Sequence, residues 1–476
     1  MRKGPSERKV IENVLVTDIA EGGKGVGKTN DLVIFIDKAV PGDVVDVEIY
    51  RKKKNFAEAK IKNLIKASEH RIEAFCQHFG VCGGCKWQHM TYESQLFYKQ
   101  KSVTDALQRL GKVDTSMTEP ILSSAETRFY RNKLEFTFSN KRWLTSTDIQ
   151  DQAQEEMQAL GFHIPLRFDK ILDIETCYLQ ASPSNEIRNK VREFTLREGM
   201  SYYDLRNHEG ALRNLVIRTS STGETMVIVI FAYADEEQRS LLMNFLKTEF
   251  PQVNSLLYII NHKLNDTFFD QDIHVFAGRD HIFEEMPDTS GGAPLKFKIG
   301  SKSFYQTNSA QAYELYRIGK QYADFKGDEL VYDLYTGAGT IANFIARNVK
   351  KVVGIEYVED AIIDARINSE INDIHNTVFF AGDMKDVLTP AFVEQQGKPD
   401  VIIADPPRAG MHPDVVQRLL EIEAPKIVYI SCNAATQARD ISMLSEKYEV
   451  TRIRPVDMFP HTQHVENVAL LIRRTI

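Results

Sequence analysis

The regular alternation of apolar strands and helices after residue 296 is the feature that most constrains the fold. The strand-like segments, in chain order, are ELVYDLYT, KVVGIEY, NTVFFAGDM, DVIIADPP, KIVYISCN and VALLIRR, and the first ones are separated by the helical segments IANFIARNVK and EDAIIDARINSE. Strands that alternate with helices form doubly wound parallel sheets, and such sheets bind ligands at the carboxyl ends of their strands. Residues 296–476 are therefore predicted to form a Rossmann-like domain.

The first of these strands runs into a glycine-rich turn that suits a nucleoside ligand. The turn contains Gly337, where the missing side chain lets a ligand approach the backbone closely. Glu356 ends the next strand, and a carboxylate at that place accepts hydrogen bonds from ribose hydroxyls. Asp383 follows a later strand and is a second candidate for ribose or adenine contacts.

The identity of the ligand is inferred from the charge of this turn. Ala342 stands where a dinucleotide motif has its third glycine, and alanine is permitted there, so this position does not decide the cofactor. Asp333 directs negative charge at the turn, which disfavours a diphosphate. S-adenosylmethionine has a cationic sulfonium, a ribose and no phosphate. We therefore favour this methyl donor, and a Rossmann-like site for another nucleotide is the alternative.

Cys432 is predicted at the same edge of the sheet, since it ends the strand KIVYISC. A lone cysteine there is more often a core residue than a nucleophile. Two neighbouring motifs change this interpretation: Asp405 and Arg408 lie in a DPPR sequence after another strand, and Glu466 precedes the last strand. Together these residues suit methylation of a uracil.

C5 of uracil becomes nucleophilic when a thiolate adds to C6, and a base must then remove the C5 proton. Cys432 is the candidate nucleophile and Glu466 the candidate base. Asp405 is a candidate to hold the pyrimidine edge or the donor. Arg408 could stabilise the enolate oxygen, bind phosphate or pair with a carboxylate.

The N-terminal residues 1–67 are predicted to form a small β-barrel. Short strand-like runs alternate with turns at the glycines 22, 23, 25 and 27 and at a PGD sequence, a pattern typical of OB-like barrels. The first 70 residues hold 14 Lys and Arg against 11 Asp and Glu, whereas the whole chain has a net charge of −7. A globally basic nucleic-acid coat protein is thus excluded. The basic run 51–54 is a candidate RNA contact, with a solvated loop as the alternative.

Three of the five cysteines cluster within ten residues. They are Cys76, Cys82 and Cys85, and Cys177 lies 92 residues further on. If Cys432 is the nucleophile, four thiols remain, which is the number that holds one tetrahedral zinc ion or a [4Fe–4S] cluster. Spacing alone favours zinc. Cys177 could equally be a core residue.

The central residues 68–295 are predicted to form an α+β domain. The segments RNKLEFTFSN, NLVIRTS, ETMVIVIFAYA and SLLYIINH have strand patterns, and YESQLFYKQKSVTDALQRLG and EEQRSLLMNFLKTEF have helical ones. The longest apolar run has nine residues, far below the ~18 that suggest a membrane span. The N-terminus, MRKGPSERKV, is rich in charged residues, and no apolar signal segment follows it. We therefore expect no secretory signal, no membrane partner and a cytoplasmic protein.

Taken in order, the motifs resemble those of the bacterial 23S rRNA uracil-5-methyltransferases. Each motif alone is moderately specific for this family, and the occurrence of all of them in this order is strongly specific for it. The matching segments are EGGKGVGK and VPGDVV of a TRAM domain, the cysteines of CQHFGVCGGC followed by WQH, SFYQTN at 303–308, DLYTGAGT, DPPR, SCN at 431–433 and HVE at 464–466.

This resemblance implies an α/β protein of three domains: an RNA-binding, OB-like TRAM barrel (1–67), a central domain with an iron–sulfur site (68–295) and a methyltransferase domain (296–476). It implies that Cys432 is the nucleophile and Glu466 the proton acceptor. It also implies a [4Fe–4S] cluster rather than zinc on the four cysteines. The donor-binding residues that it implies are Gln306, Tyr335, Glu356 and Asp405.

The function predicted on this basis is S-adenosylmethionine-dependent methylation of C5 of a uridine in 23S rRNA. The target base must be unstacked or flipped into the site. The same chemistry on tRNA is an alternative, disfavoured because the family's tRNA enzymes are expected to lack the barrel and the cysteine cluster. An amino-methyltransferase would leave Cys432 and Glu466 unexplained. A non-catalytic RNA-binding assembly factor is the remaining alternative, and no obligate protein partner is evident.

Overall fold

The computed structural model describes residues 9–29, 32–145, 156–268 and 270–475. The first eight residues of the predicted barrel domain lie outside this part of the chain. The described residues form a closed barrel, a seven-stranded central sheet, a two-stranded ribbon and a second seven-stranded sheet. This multidomain α/β architecture confirms the predicted fold class.

The N-terminal barrel closes because its first and fourth strands pair with each other. The order around the barrel is β1-β2-β3-β5-β4, and only the β3–β5 pair is parallel. Its interior is filled by small and β-branched side chains such as Val14, Ile34 and Val45. The strands are β1 (Val10–Ile19), β2 (Gly25–Thr29), β3 (Leu32–Asp37), β4 (Val44–Lys52) and β5 (Phe56–Lys66).

Two glycines that were expected in a turn lie in strand β2 instead. Gly22 and Gly23 have positive φ angles and do form the turn, but Gly25 and Gly27 pair with neighbouring strands. A Cβ atom on Gly27 would lie 2.5 Å from Cγ1 of Val14. Glycine is therefore needed here for close packing inside a narrow barrel, which sequence patterning does not distinguish from a turn.

The central sheet has the order β12-β11-β10-β9-β6-β7-β8 and is antiparallel apart from its β10–β11 pair. Strands β7, β8 and β12 and the helix at Ser184–Arg197 were not anticipated from the sequence. The strands are β6 (Lys133–Ser139), β7 (Ala159–Ile164), β8 (Arg167–Asp173), β9 (Leu212–Thr219), β10 (Thr225–Phe231), β11 (Ser255–Ile260) and β12 (Ile273–Gly278). A ribbon of β13 (His281–Met286) and β14 (Leu295–Gly300) leads to the last domain.

The C-terminal sheet confirms the predicted doubly wound arrangement. Its order is β17-β16-β15-β18-β19-β21-β20, with five parallel strands and two antiparallel strands at one side. Strand β20 was not predicted. The strands are β15 (Leu330–Leu334), β16 (Lys351–Glu356), β17 (Thr377–Ala381), β18 (Val401–Ala404), β19 (Lys426–Ser431), β20 (Tyr448–Val456) and β21 (Glu466–Arg473).

The first helix connects the central part of the chain to the C-terminal domain. Val103 and Leu107 of α1 belong to the same buried cluster as residues of the C-terminal sheet. None of the helices in the described residues is long and apolar enough to cross a membrane. The helices are α1 (Tyr92–Arg109), α2 (Ser184–Arg197), α3 (Glu236–Glu249), α4 (Ser309–Ala323), α5 (Thr340–Ala346), α6 (Glu359–Ile371), α7 (Met384–Val387), α8 (Pro390–Gln396), α9 (Pro413–Ile422) and α10 (Ala434–Leu444).

The packing of the barrel predicts that Gly27→Ala destabilises the protein by about 1–3 kcal/mol, because the added methyl group overlaps the buried Val14. Gly319→Ala is the control, since its Cβ would lie 3.7 Å from Ile430, an ordinary contact, and alanine favours helix α4 by up to ~1 kcal/mol. Thermal unfolding monitored by circular dichroism measures both. Equal stability of the two variants would contradict the packing argument.

Candidate active site

The carboxyl edge of the C-terminal sheet gathers five of the predicted site residues. Tyr335, Glu356, Asp383, Asp405 and Cys432 lie at or just after the ends of five parallel strands, β15 to β19. The carboxyl ends of parallel strands meet at one edge of the sheet. The fold thus brings together residues that are spread over almost 100 positions of the sequence.

The turn after β15 is shaped by hydrogen bonds among its own residues. Oδ2 of the fully buried Asp333 accepts a hydrogen bond of 2.5 Å from the Thr336 hydroxyl. Gly337 and Gly339 adopt left-handed φ angles of 55° and 73°, which favour glycine. The backbone N–H of Gly337 donates to Oε2 of Glu356 at 3.1 Å, so the expected ribose-binding carboxylate lies directly against the turn.

Three acidic side chains lie near this edge: Asp333 and Glu466 are buried, and Asp405 is partly buried. Burial raises the pKa of Asp333 to about 7 and that of Asp405 to about 7. Burial, together with the charge of Asp405, raises the pKa of Glu466 to about 8. The phenol of Tyr316, on α4, is close enough to interact with all three carboxyl groups. The site therefore concentrates negative charge in a region of low polarity, where a bound cation would favour the ionised forms.

Cys432 and Glu466 are brought close together by the pairing of β19 with β21. Ser431 lies opposite Asn467 at the end of this antiparallel pair, so Cys432 directly follows the last paired residue of β19 and Glu466 directly precedes its partner on β21. The charge of Glu466 raises the pKa of the Cys432 thiol, so the carboxyl group lies near the sulfur. Sequence reasoning chose both residues but had no information on this pairing.

The groups around Cys432 have opposite effects on the pKa of its thiol. Burial raises the pKa of the Cys432 thiol to about 11, and the carboxyl groups of Glu466 and Asp405 add to this effect. The guanidinium of Arg408, which donates a hydrogen bond to the sulfur, lowers the pKa. Arg408 is therefore placed to stabilise a thiolate, a role that its position after two prolines did not by itself indicate.

Gln306 lies outside the sheet, on the loop between β14 and α4. Its backbone oxygen accepts a hydrogen bond from Asn132 of the central part of the chain. The same loop is anchored by Ser303, which donates to Asp364 on α6, the helix after Glu356. The structure thus ties the Gln306 loop to both domains and leaves the side chain partly exposed.

Asp383 lies at the predicted edge but already has partners. Its side chain accepts a hydrogen bond from the backbone N–H of Lys385 and caps the short helix α7. It also forms a partly exposed ion pair of 3.3 Å with the Lys385 ammonium group. A role in adenine or ribose binding therefore competes with these local contacts.

The fold brings the four remaining cysteines into one place. Cys76, Cys82, Cys85 and Cys177 all line a single cavity of about 570 Å³, although Cys177 is distant in sequence. Burial raises the pKa of Cys82 to about 11 and that of Cys85 to about 12, and nearby thiolate charges add to the effect. Four neighbouring thiols that are buried or partly buried resist ionising together unless a positive charge lies between them.

No group of three or more His, Cys, Asp or Glu side chains is arranged to hold a metal ion in the part of the chain that the structure describes. The predicted ligand role of the four cysteines is therefore not shown. Their donor chemistry does fit: four soft thiols around one cavity suit zinc or an iron–sulfur cluster.

Sequence reasoning missed a buried polar network behind the site. Gln95 and Lys99 of α1 are fully buried, and they contact the segment that precedes β21. A signal was available, since residues 95, 99, 103 and 107 recur every four positions and two of them are polar in an otherwise apolar stripe. Polar residues on a core-facing stripe indicate buried hydrogen-bond partners.

Comparison with known proteins gives two family matches on this chain. The TRAM domain family matches residues 6–62, and the family described as tRNA (Uracil-5-)-methyltransferase matches residues 270–474. Curated relatives cover nearly the whole chain. An "Uncharacterized RNA methyltransferase" of Bacteroides thetaiotaomicron is 57% identical, covering 95% of this chain and 99% of its own length. A second, from Chlorobaculum tepidum, is 38% identical, with 97% and 96% covered.

Among solved structures, the tRNA (uracil-54, C5)-methyltransferase of Pyrococcus abyssi, in complex with S-adenosyl-L-homocysteine, is similar with a TM-score of 0.74 and 29% identity. It covers 97% of this chain and 100% of its own. The expectation that tRNA enzymes lack the N-terminal part of this chain is therefore wrong. The barrel does not distinguish an rRNA substrate from a tRNA substrate.

The raised pKa of Asp405 predicts a pH-dependent stability. Its protonated form is favoured in the folded state, so its stabilising contribution is complete below about pH 4 and is lost as the pH rises through about 7. We expect Asp405→Asn, relative to wild type, to gain stability between pH 5 and 8, by up to about 4 kcal/mol. Thermal unfolding across this pH range measures the difference.

The exposed Asp328, just before β15, offers the matched control, Asp328→Asn. Its unfolding curve should follow that of the wild type at each pH. Parallel curves for Asp405→Asn and wild type would show that the carboxyl group is not buried in the free protein.

Proposed function

The chain belongs to the RNA methyltransferases that join a TRAM domain to a tRNA (uracil-5-)-methyltransferase-type domain, and we propose that it methylates C5 of a specific uridine in 23S rRNA. Family membership makes it an S-adenosylmethionine-dependent enzyme. The observation that carries the proposal is the placement of Cys432 near Glu466 and Asp405, at the end of the β19–β21 pair.

The residues at the strand ends fit S-adenosylmethionine. Gly337 and Glu356 would hold the adenosine, with Gln306, Tyr335, Asp383 and Asp405 as further donor-binding residues. The buried negative charge near Asp405 suits a cationic ligand, since ionised carboxyl groups are otherwise disfavoured there. The donor, when bound, supplies an electrophilic methyl group on a positively charged sulfur.

We assign the nucleophilic step to Cys432. Its thiolate adds to C6 of the uracil, and the electrons of the C5–C6 double bond move toward O4, so that C5 becomes a carbon nucleophile. Arg408 supports this step because its guanidinium lowers the pKa of the thiol, against the effect of burial. C5 then forms a bond to the methyl group of the donor, and the bond between that methyl group and the donor sulfur breaks, so that the sulfur leaves without its positive charge.

Glu466 completes the reaction as the base. Its carboxylate takes the proton from C5, the C5–C6 double bond forms again, and the bond between C6 and the Cys432 sulfur breaks. A pKa of about 8 is close to the working pH of a cell, which is the range in which a general base is effective. Burial beside Asp405 is thus a cause of the basicity of Glu466.

RNA binding is assigned to the N-terminal barrel (1–67) and the central residues (68–295). The run Arg51–Lys54 is exposed on the barrel and supplies positive charge for phosphate groups. Arg131 and Lys133 are further candidates for RNA contact. We propose that the enzyme acts in the cytoplasm on 23S rRNA. The similarity to the Pyrococcus abyssi enzyme is the observation that supports the tRNA alternative.

We also propose that the four cysteines hold a [4Fe–4S] cluster. One zinc ion needs four ligand atoms converging at about 2.3 Å for sulfur. Four thiols line one cavity, which suits a cluster held by four thiolates, and the resemblance of the CQHFGVCGGC segment favours the cluster over zinc. The cluster would neutralise the charge of the thiolates. Methyl transfer needs no electron, so its role would be structural or in RNA contact.

The proposed chemistry predicts that Cys432→Ala abolishes turnover and that Glu466→Gln lowers it about 10²–10⁴-fold. Glu466→Gln should also accumulate a covalent protein–RNA adduct, because the C5 proton cannot leave. The assay incubates the enzyme with S-adenosylmethionine and unmodified rRNA or tRNA and maps 5-methyluridine by mass spectrometry. Glu446→Gln, at an exposed position, is the matched control and should behave as wild type.

Methylation of 23S rRNA that disappears in Cys432→Ala supports substrate, reaction and nucleophile together. Methylation confined to tRNA would keep the mechanism and replace the substrate. Absence of 5-methyluridine from both RNA pools would remove the proposal and favour an RNA-binding assembly factor.

The cluster proposal predicts that the protein purified without oxygen contains iron and sulfide and has a broad absorption band in the visible range. Cys85→Ser and Cys177→Ser should lower the iron content, whereas Cys432→Ser should retain it and serves as the control. Zinc in place of iron would support the alternative metal. A protein that binds neither metal, in all preparations, would contradict both.

A further inference from the structure

We propose that Gln95 is a positioning residue for the catalytic base: its buried side-chain amide fixes the segment 457–463 against the cysteine segment and thereby aligns Glu466. This inference rests on the role proposed above for Glu466. Gln95 lies on α1, far from the base in sequence, and has no place in the methyl transfer itself.

The segment 457–463 follows β20 and leads to Glu466, the first residue of β21. Within this segment, His461 is held by the residues that directly follow Cys85. The backbone N–H groups of Lys86 and Trp87 both donate to the carbonyl oxygen of His461, at 2.8 and 3.0 Å. The chain that carries the cysteines and the chain that carries the base are therefore in direct contact.

Gln95 joins these two chains through a single amide group. Its Oε1 accepts a hydrogen bond of 2.9 Å from the backbone N–H of His461. Its Nε2 donates to the carbonyl oxygens of Trp87, at 3.0 Å, and Met90, at 2.9 Å. The side chain is fully buried, so water cannot replace these bonds.

The next turn of α1 holds the start of the same segment. Lys99 and Asp457 form an ion pair of 2.5 Å in which both side chains are completely buried. The Lys99 ammonium also donates to the carbonyl oxygen of Phe459 at 3.0 Å, and the Tyr92 hydroxyl donates to Asp457 at 2.8 Å. Four residues apart on one helical face, Gln95 and Lys99 thus hold two points of the segment.

The four-cysteine cavity shares a wall with this segment. Cys85, Lys86 and Thr462 all line the cavity, and Thr462 follows His461. A change in the shape of the cysteine segment would therefore displace His461, which lies five residues before Glu466. A general base must lie within hydrogen-bond reach of its proton, and a misplacement of about 1 Å can cost on the order of 10²-fold in rate.

The reaction offers a readout that separates alignment of the base from general loss of structure. After methyl transfer, C5 carries both a methyl group and a proton, and C6 is bonded to the sulfur of Cys432. This bond breaks only when the proton leaves. A misaligned base should slow the last step alone, so that the methylated covalent adduct accumulates while adduct formation and methyl transfer continue.

The test compares Gln95→Met and Gln95→Glu in the full-length protein, with labelled S-adenosylmethionine and the RNA substrate. We expect turnover to fall about 10–100-fold, single-turnover methyl transfer to change less than about threefold, and the adduct on denaturing gels to increase several-fold. Hydrogen exchange of the backbone amide of His461 should accelerate. Gln417→Met, an exposed glutamine on α9, is the matched control and should show none of these changes.

Gln95→Glu keeps the size of the side chain and the acceptor for His461 but lacks the donors to Trp87 and Met90, so it carries the test if Gln95→Met does not fold. Unchanged turnover would overturn the inference, as would a parallel fall in turnover and single-turnover methyl transfer without adduct. If Glu466→Gln itself forms no adduct, the proposed function fails. If only the Gln95 variants form none, the inference alone fails.

Discussion

The antiparallel pairing of the last strand with β19 is the constraint on which the candidate active site depends. The parallel strands β15 to β18 carry the proposed donor-binding residues at one edge, and the proposed nucleophile, Cys432, follows β19 at the same edge. Strand β21 runs beside β19 in the opposite direction, so its first residue, Glu466, lies at the end of the β19–β21 pair next to Cys432. One strand reversal thus brings the proposed base close to the proposed nucleophile.

Burial of charge is the second physical theme of the molecule. Asp333, Asp405 and Glu466 lie close together in a region of low polarity, and the pKa values of all three are raised. A folded protein tolerates this arrangement at a cost in stability that a cationic ligand offsets. The acidity of the site and its affinity for a positively charged methyl donor are in this view two consequences of one arrangement.

The central part of the chain connects the two functional regions. Helix α1 contributes Val103 and Leu107 to the core of the methyltransferase domain, and the same helical face carries the buried Gln95 and Lys99. The contacts of these polar residues run to the segment before Glu466 and to the chain that follows Cys85. The cysteine cavity and the proposed base, Glu466, are therefore held by contacts with the same helix.

Much of the architecture could be predicted because it depends on local patterns. The alternation of apolar strands with helices predicted the doubly wound sheet, and the position of a residue at the end of a strand is enough to place it at the ligand edge. Cys432, Glu356 and Asp405 were found in this way. Strand β2 was missed because Gly25 and Gly27 have a local signal typical of turns, while their close packing in the barrel is a tertiary property.

The sequence by itself determined which residues end strands, which turn can approach a nucleoside and which side chains have the chemistry for a methyl transfer. The tertiary structure decided which of these residues meet. The proximity of Cys432 to Glu466 depends on the order and direction of the strands. The convergence of Cys177 with Cys85, 92 positions apart, depends on the folding of the chain between them. Neither is encoded in a local window, because contacts between distant segments follow from the packing of the whole chain.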